Sequence, residues 1–496
     1  MKRVFWLGLV IGFASAVGLA ACGAAPSNDR QERTATDSPA PGIASLGMEG
    51  LGPIPEYRLA LELDLADQRL VGRQQTTIPN RTGTELGEIV FRLYPNLPQY
   101  GGEMRIGPVW VDGQRTTTSL RAAGTSLVVP LATPLPPQAS TSISLTFDIE
   151  IPPQPRGYVL FGESNGIWIL PDAYPLLAVH DDSAELTGSD SAWHEEVAPP
   201  QSDAVFAEAA LYDVTLTLPP SLTLISTGSV IDEKANEAGQ HVYHIAGGPL
   251  REFAWLASAE YLSAETTASG AVVRSFYLPG DEAAGQSAMH TAAAALRVYG
   301  DAFGPYPFGE MAVVEAPLRF YGMEYPGLNL IGIDLYRDRR EELENRLAHE
   351  IAHQWWYAQV GNDQVNVPWL DEGLAEYSTA TYYRDVYGQA RANTLINQRW
   401  LVPYQAAVEE GYDAVVNQPS SAFGPEYEVI VYGKAALFFD AIRQRLGDDT
   451  YQAVLQEYLA RYRWQVATPD ALLHVVKSVS GQDVEDLYSR WILGKQ

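Results

Sequence analysis

Two histidines, His349 and His353, stand four residues apart in Arg346-Leu347-Ala348-His349-Glu350-Ile351-Ala352-His353, with Glu350 directly after the first. Side chains spaced i, i+4 leave one face of a helix a turn apart, so two imidazoles placed this way can grip one ion. The pattern carries a mechanism: the histidines hold zinc, and the intervening glutamate can reach a metal-bound water. Open catalytic zinc sites require a third protein ligand. Glu372, nineteen residues after His353 in Trp369-Leu370-Asp371-Glu372-Gly373, offers one. His349, His353 and Glu372 then leave a fourth position for water and lower its pKa to about 7. Glu350 takes the water proton, hydroxide attacks a carbonyl carbon, and Glu350 returns the proton to a departing amine. Glu376 lies one turn beyond Glu372 on the same helix face, where it either orients a ligating histidine or faces solvent.

Rigid elements must hold these residues. From about Pro53 to Leu278 apolar and polar residues alternate with period two: Leu59, Leu61, Leu63 and Leu65 in RLALELDL, Ile143, Leu145, Phe147, Ile149 and Ile151 in SISLTFDIEIP, and Tyr212, Val214, Leu216 and Leu218 in YDVTLTLP. Such alternation marks half-buried strands, and an N-terminal antiparallel all-β domain over residues 53–278 follows. After Pro279 the period changes. DEAAGQSAMHTAAAALRVYG reads as an Ala-rich helix, MAVVEAPL and LNLIGIDL as short strands, and the chain beyond Arg340 as mainly helical. Residues 279–496 are therefore expected to form an α+β domain, mostly helical towards the C-terminus. Trp355 and Trp356 belong in its core. His180-Asp181-Asp182 and His194-Glu195 have no metal-ligand partner at useful spacing and read as loop residues.

With 496 residues, 46% hydrophobic and 19% charged, the composition is that of a folded protein with several buried cores. A formal charge of -28 excludes nucleic acid as a natural partner and gives no attraction to anionic lipid headgroups. Met1–Ala21 reads as an export signal, with Lys2 and Arg3 ahead of an apolar run. Leu19-Ala20-Ala21-Cys22 resembles the lipobox of bacterial lipoproteins, where the cysteine is acylated and the chain is cut just before it. An uncleaved helical anchor is the alternative. Residues 22–52, rich in Ser, Thr, Pro, Ala and Gly, read as a lipidated flexible tether with a reach of roughly 30 Å. The expected location is the outer face of a bacterial membrane, held there by acyl chains on Cys22.

HExxH followed by Glu372 at this spacing resembles the aminopeptidase N family of zinc peptidases, gluzincins with a thermolysin-like catalytic domain. Three further stretches agree: His353-Gln354-Trp355-Trp356 with the family's aromatic continuation of the zinc helix, Tyr321-Gly322-Met323-Glu324 with its amine-recognition motif, and Val431-Tyr432-Gly433-Lys434-Ala435 with the stretch carrying its catalytic tyrosine. The resemblance implies one zinc ion per chain, peptide substrates, and a Tyr432 hydroxyl that donates to the developing oxyanion. It also implies that Gly322, Met323 and Glu324 meet the substrate, with Glu324 binding its free α-amine. Tyr325 replaces the asparagine that usually follows that glutamate. Only 64 residues follow Tyr432, so the resemblance is to a short form without the family's large C-terminal helical domain and with an open site. An aminopeptidase is expected. An open-site endopeptidase with the same zinc centre is the alternative, and a catalytically silent surface peptide-binding protein is a more distant one. The family's long members also draw an amine-binding residue from the β domain, which no position in this sequence identifies.

Overall fold

The computed structural model describes residues 51–153, 160–181, 192–318 and 320–495. The leader, Cys22 and all but the last two residues of the tether lie outside them. The alternating segments form strands whose inward residues are the apolar ones. Tyr57, Leu59, Leu61 and Leu63 are buried along Glu56–Asp64, as are Ile143, Leu145, Phe147 and Ile149 along Ser140–Glu150. These two strands flank Arg69–Pro79 in an eight-stranded sheet that continues on its other side through Ala210–Leu218 and His241–Leu250. Pairing is antiparallel except between Glu56–Asp64 and Ala210–Leu218, which run parallel. Two four-stranded sheets complete the β domain.

The second unit begins earlier than the change of period suggests. Leu262–Ala268 and Ala271–Tyr277 pair as a hairpin and join Glu310–Ala316, Leu328–Gly332 and Gly322–Met323 in one five-stranded sheet. The boundary expected at 278/279 therefore falls between a strand and a helix of the same layered unit. Alternation looks the same whichever sheet a strand joins, so the period could not place this boundary. The Ala-rich helix Glu282–Ala302 is the crossover that parallel neighbours require, and its buried Ala288, Ala292, Ala295 and Leu296 let it lie close to the sheet. Tyr299 on that helix donates to the carbonyl of Ala348 at 2.9 Å, fixing the turn that precedes His349.

The β domain is stitched to the segment that follows the histidines. Arg251, only 1% exposed, donates to the carbonyls of Tyr357 (2.5 Å), Ala207 (3.1 Å), Gln359 (3.3 Å) and Gln465 (2.8 Å). Burial pushes its pKa down to about 10, which still leaves it charged at neutral pH. Gly361 is required by this contact, since a Cβ there would lie 2.2 Å from the guanidinium carbon.

Candidate metal centre and peptide cavity

His349 and Glu350 lie in the last turns of the helix Leu343–Ala352, and His353 occupies the position immediately after it, still with helical backbone angles. The chain turns sharply there. Trp355 and Trp356 descend into the core, each at most 1% exposed, with indole N–H groups donated to Gly304 O and Ser378 Oγ. The same turn brings the Trp356 carbonyl to 2.9 Å from His353 Nδ1. A carbonyl can only accept, so Nδ1 carries the proton and the Nε2 lone pair faces the other way.

The helix Trp369–Tyr387 brings Glu372 and Glu376 to the histidines, one turn apart on one face. Glu376 Oε2 lies 3.1 Å from His349 Nδ1, and the residue is 2% exposed, so it faces the histidine and not solvent. Its other oxygen accepts from Trp400 Nε1 at 2.7 Å and Arg399 Nε at 3.3 Å. Burial opposes ionisation of Glu376, but Arg399, His349 and Arg346 hold its carboxyl well below the usual range.

His349 Nε2, His353 Nε2 and Glu372 Oε2 then form a small triangle with sides of 3.1, 3.2 and 3.4 Å. Ligands about 2.0–2.1 Å from a tetrahedral zinc are separated by about 3.3 Å, so this donor set fits zinc in both chemistry and spacing. The electrostatics agree. Burial disfavours a charged His349 imidazole, yet Glu372 and Glu376 hold its pKa up to about 9, so the local field favours positive charge at this point. Glu324, His353 and Asp371 also cluster closely enough to hold a metal, but through the same histidine.

A cavity of about 480 Å³ opens beside this triangle. Glu350 lines it, and burial pushes its carboxyl up to about 8. Gly322 lies against it: a Cβ there would sit 2.4 Å from the Glu350 carboxyl carbon, so only glycine lets the edge strand pass. Glu324, 4% exposed, follows that strand; its carboxylate accepts from Gln364 Nε2 at 3.2 Å, and its pKa is raised chiefly by burial. Gln354 Nε2 clamps the backbone carbonyls of Glu324 and Tyr325 at 3.4 and 3.1 Å. Tyr432 sits on the π-helical turn Glu428–Lys434, with its ring stacked on His349 and its hydroxyl donated to Glu372 Oε1 at 2.7 Å. Burial and Glu372 raise its pKa well above the ordinary value, so it remains a proton donor at neutral pH.

One expected site residue is placed elsewhere. Met323 does not line the cavity; its side chain is 8% exposed in the core formed with Leu328 and Leu330. Successive strand residues face opposite sides, so Gly322 at the cavity sends Met323 inward. Tyr325 likewise packs into that core, away from the cavity. Asp203 is the acid that the β domain contributes to the lining, and the sequence offered no signal for it. Burial, with Glu324, Glu372 and Asp371 nearby, raises its pKa well above the usual range. Arg346, Tyr321, Tyr427 and Glu428 also line the cavity. His180 and His194 do not.

A buried two-histidine, one-glutamate cradle beside a third glutamate, on an α+β domain joined to a β domain, is the arrangement of a gluzincin-type metallopeptidase site. Residues 287–491 match the Peptidase family M1 domain. Over 298 residues the chain is 24% identical to Aminopeptidase M1-B of Oryza sativa subsp. japonica, a match covering 57% of this chain and 34% of that protein. The chain thus spans about a third of the length of the curated relatives it matches. Among solved structures, an M1 zinc metallopeptidase mutant from Deinococcus radiodurans bound to a Tyr-Ser-Ala substrate superposes with a TM-score of 0.64 at 19% identity, covering 90% of this chain and 94% of that one. A two domain M1 zinc metallopeptidase mutant bound to L-arginine gives 0.66 at 20% identity, covering 90% and 94%. The β domain followed by a largely helical unit is therefore the fold of the two-domain M1 peptidases.

Glu376→Gln, which removes the charge behind His349, is expected to weaken zinc binding about 10–100-fold. Competition with a chelator of known affinity measures this, and unchanged affinity would remove Glu376 from the support of the site.

Proposed function

We propose that the protein is a zinc-dependent aminopeptidase that hydrolyses the N-terminal peptide bond of peptides. The observation that carries this reading is that one cavity holds the ligand triangle, the base Glu350 and a further buried carboxylate, Glu324, with an oxygen within 4.8 Å of a His353 ring nitrogen. His349, His353 and Glu372 would hold one zinc ion per chain, which would supply Lewis-acid chemistry at the scissile carbonyl and the attacking water. Glu350 accepts the water proton and delivers it to the leaving nitrogen. The Tyr432 hydroxyl donates to the carbonyl oxygen as that oxygen gains charge. Glu324 pairs with the substrate ammonium through a charge-assisted contact that an acetylated peptide cannot make. The names of the relatives, which are aminopeptidases, support this activity.

The test compares one peptide series with free and acetylated N-termini. Acetylation is expected to lower kcat/KM about tenfold or more, and Glu350→Gln to keep zinc while losing about 10²–10⁴-fold in rate. Equal hydrolysis of both series would favour an endopeptidase with the same metal centre. A fully active Glu350→Gln would remove the base from the mechanism.

We also propose that the mature chain is held at the outer face of a bacterial membrane by acyl chains on Cys22, a reading supported by the lipobox-like Leu19-Ala20-Ala21-Cys22 behind an apolar leader. Among the described residues, no helix is long and apolar enough to cross a membrane. Cys22→Ser is expected to move the protein from the membrane fraction to the soluble one. Unchanged retention would support an uncleaved helical anchor.

A further inference from the structure

Building on the peptidase reading above, we propose that the cavity grips both ends of a short peptide, with Arg346 binding the free C-terminal carboxylate, and that tripeptides are the preferred substrates. Three contacts align segment 321–324 with segment 346–354. The Arg346 guanidinium lies over the Tyr321 ring, 3.5 Å from its centroid. Gly322 abuts Glu350. Gln354, next to His353, holds the Glu324 carbonyl. The two segments therefore run side by side in the same sense, with the cavity against them, and the charged groups are unevenly placed along that cavity. Glu324, Asp371 and Asp203 gather at the His353 end. At the other end stands Arg346, the one Arg or Lys lining the cavity among the described residues.

The state of Arg346 suits an incoming anion. It is 7% exposed, and its Nη2 donates to Glu428 Oε1 at 3.0 Å. Its Nε–H finds no hydrogen-bond acceptor, with Glu342 Oε2 3.7 Å away. Glu428 is an exchangeable partner: its side chain is 55% exposed, and it opens the π-helical turn that carries Tyr432. A substrate carboxylate brings the same charge and the planar geometry that a guanidinium matches, so it can take the place of Glu428. The span is also right. Seven residues of helix from Arg346 to His353 cover about 10 Å, and an extended chain advances about 3.3–3.6 Å per residue, which makes three residues from amine to carboxylate.

The experiment uses the full zinc-loaded chain with trialanine, trialanine amide, dialanine and hexaalanine. The free acid is expected to exceed the amide by about tenfold or more in kcat/KM, largely through KM, as loss of a charge-assisted bond requires, and trialanine to exceed both other lengths. Arg346→Lys should retain part of the acid-over-amide ratio and Arg346→Met should bring it near one. Because a buried arginine also supports packing, Glu428→Gln provides an independent arm: with the competing carboxylate neutralised, KM for the acid should fall and the ratio rise. Equal rates on acid and amide, or a ratio unmoved by Glu428→Gln, would overturn the assignment while leaving the peptidase standing. A preference for hexaalanine would overturn the tripeptide length. Hydrolysis of neither trialanine form would overturn the peptidase reading and this inference with it.

Discussion

Two donated protons govern the site. A buried imidazole offers a lone pair to a metal only if its other nitrogen carries the hydrogen, and a fixed acceptor decides which nitrogen that is. For His353 the acceptor is the Trp356 carbonyl, and for His349 it is Glu376. The first demands that the helix stop at Ala352 and the chain turn back. The second demands that the helix Trp369–Tyr387 lie alongside, with Glu376 itself held by Trp400 and Arg399 from a second π-helical turn, Ile396–Leu401. Both acceptors thus depend on packing: the tryptophans buried below the turn, the Tyr299 bond to Ala348, and the Arg251 stitch that fixes the carbonyls of residues 357 and 359.

The second constraint is charge. Glu324, Glu350, Asp371 and Asp203 are gathered in and around a largely buried cavity, and burial is the leading reason that each has a raised pKa. A dication and an ammonium are the partners that such a field accommodates, because each lowers the cost of ionising the carboxylates around it. Arg346 stands outside this acidic group, at the far end of the helix face, which gives the cavity a direction as well as a net sign.

Much of this was legible in the sequence. HExxH with Glu372 nineteen residues after His353 is local pattern plus helix geometry, and the structure brings the three donors within one triangle. Strand alternation reports burial directly, so the β domain was readable from Leu59 to Leu218. Three things were not legible, each because it depends on non-local placement. Sheet membership put residues 262–277 in the second unit. Strand phase turned Met323 into the core while Gly322 met Glu350. Asp203 reached the cavity through long-range packing that leaves no period in the chain. The π-helical turns carrying Arg399, Trp400 and Tyr432 are similarly invisible, since a single extra residue per turn leaves the helical pattern nearly unchanged.

The account stands or falls on the metal and the donors that hold it. Metal analysis combined with X-ray absorption at the zinc edge, on the full chain as purified, tests it most directly. The expected result is one zinc per chain with two imidazoles and an oxygen-only remainder, about 2.0–2.1 Å from the metal. It should lose one imidazole in His353→Ala. A folded, peptide-hydrolysing chain without stoichiometric zinc, or a zinc shell unchanged by that substitution, would contradict it.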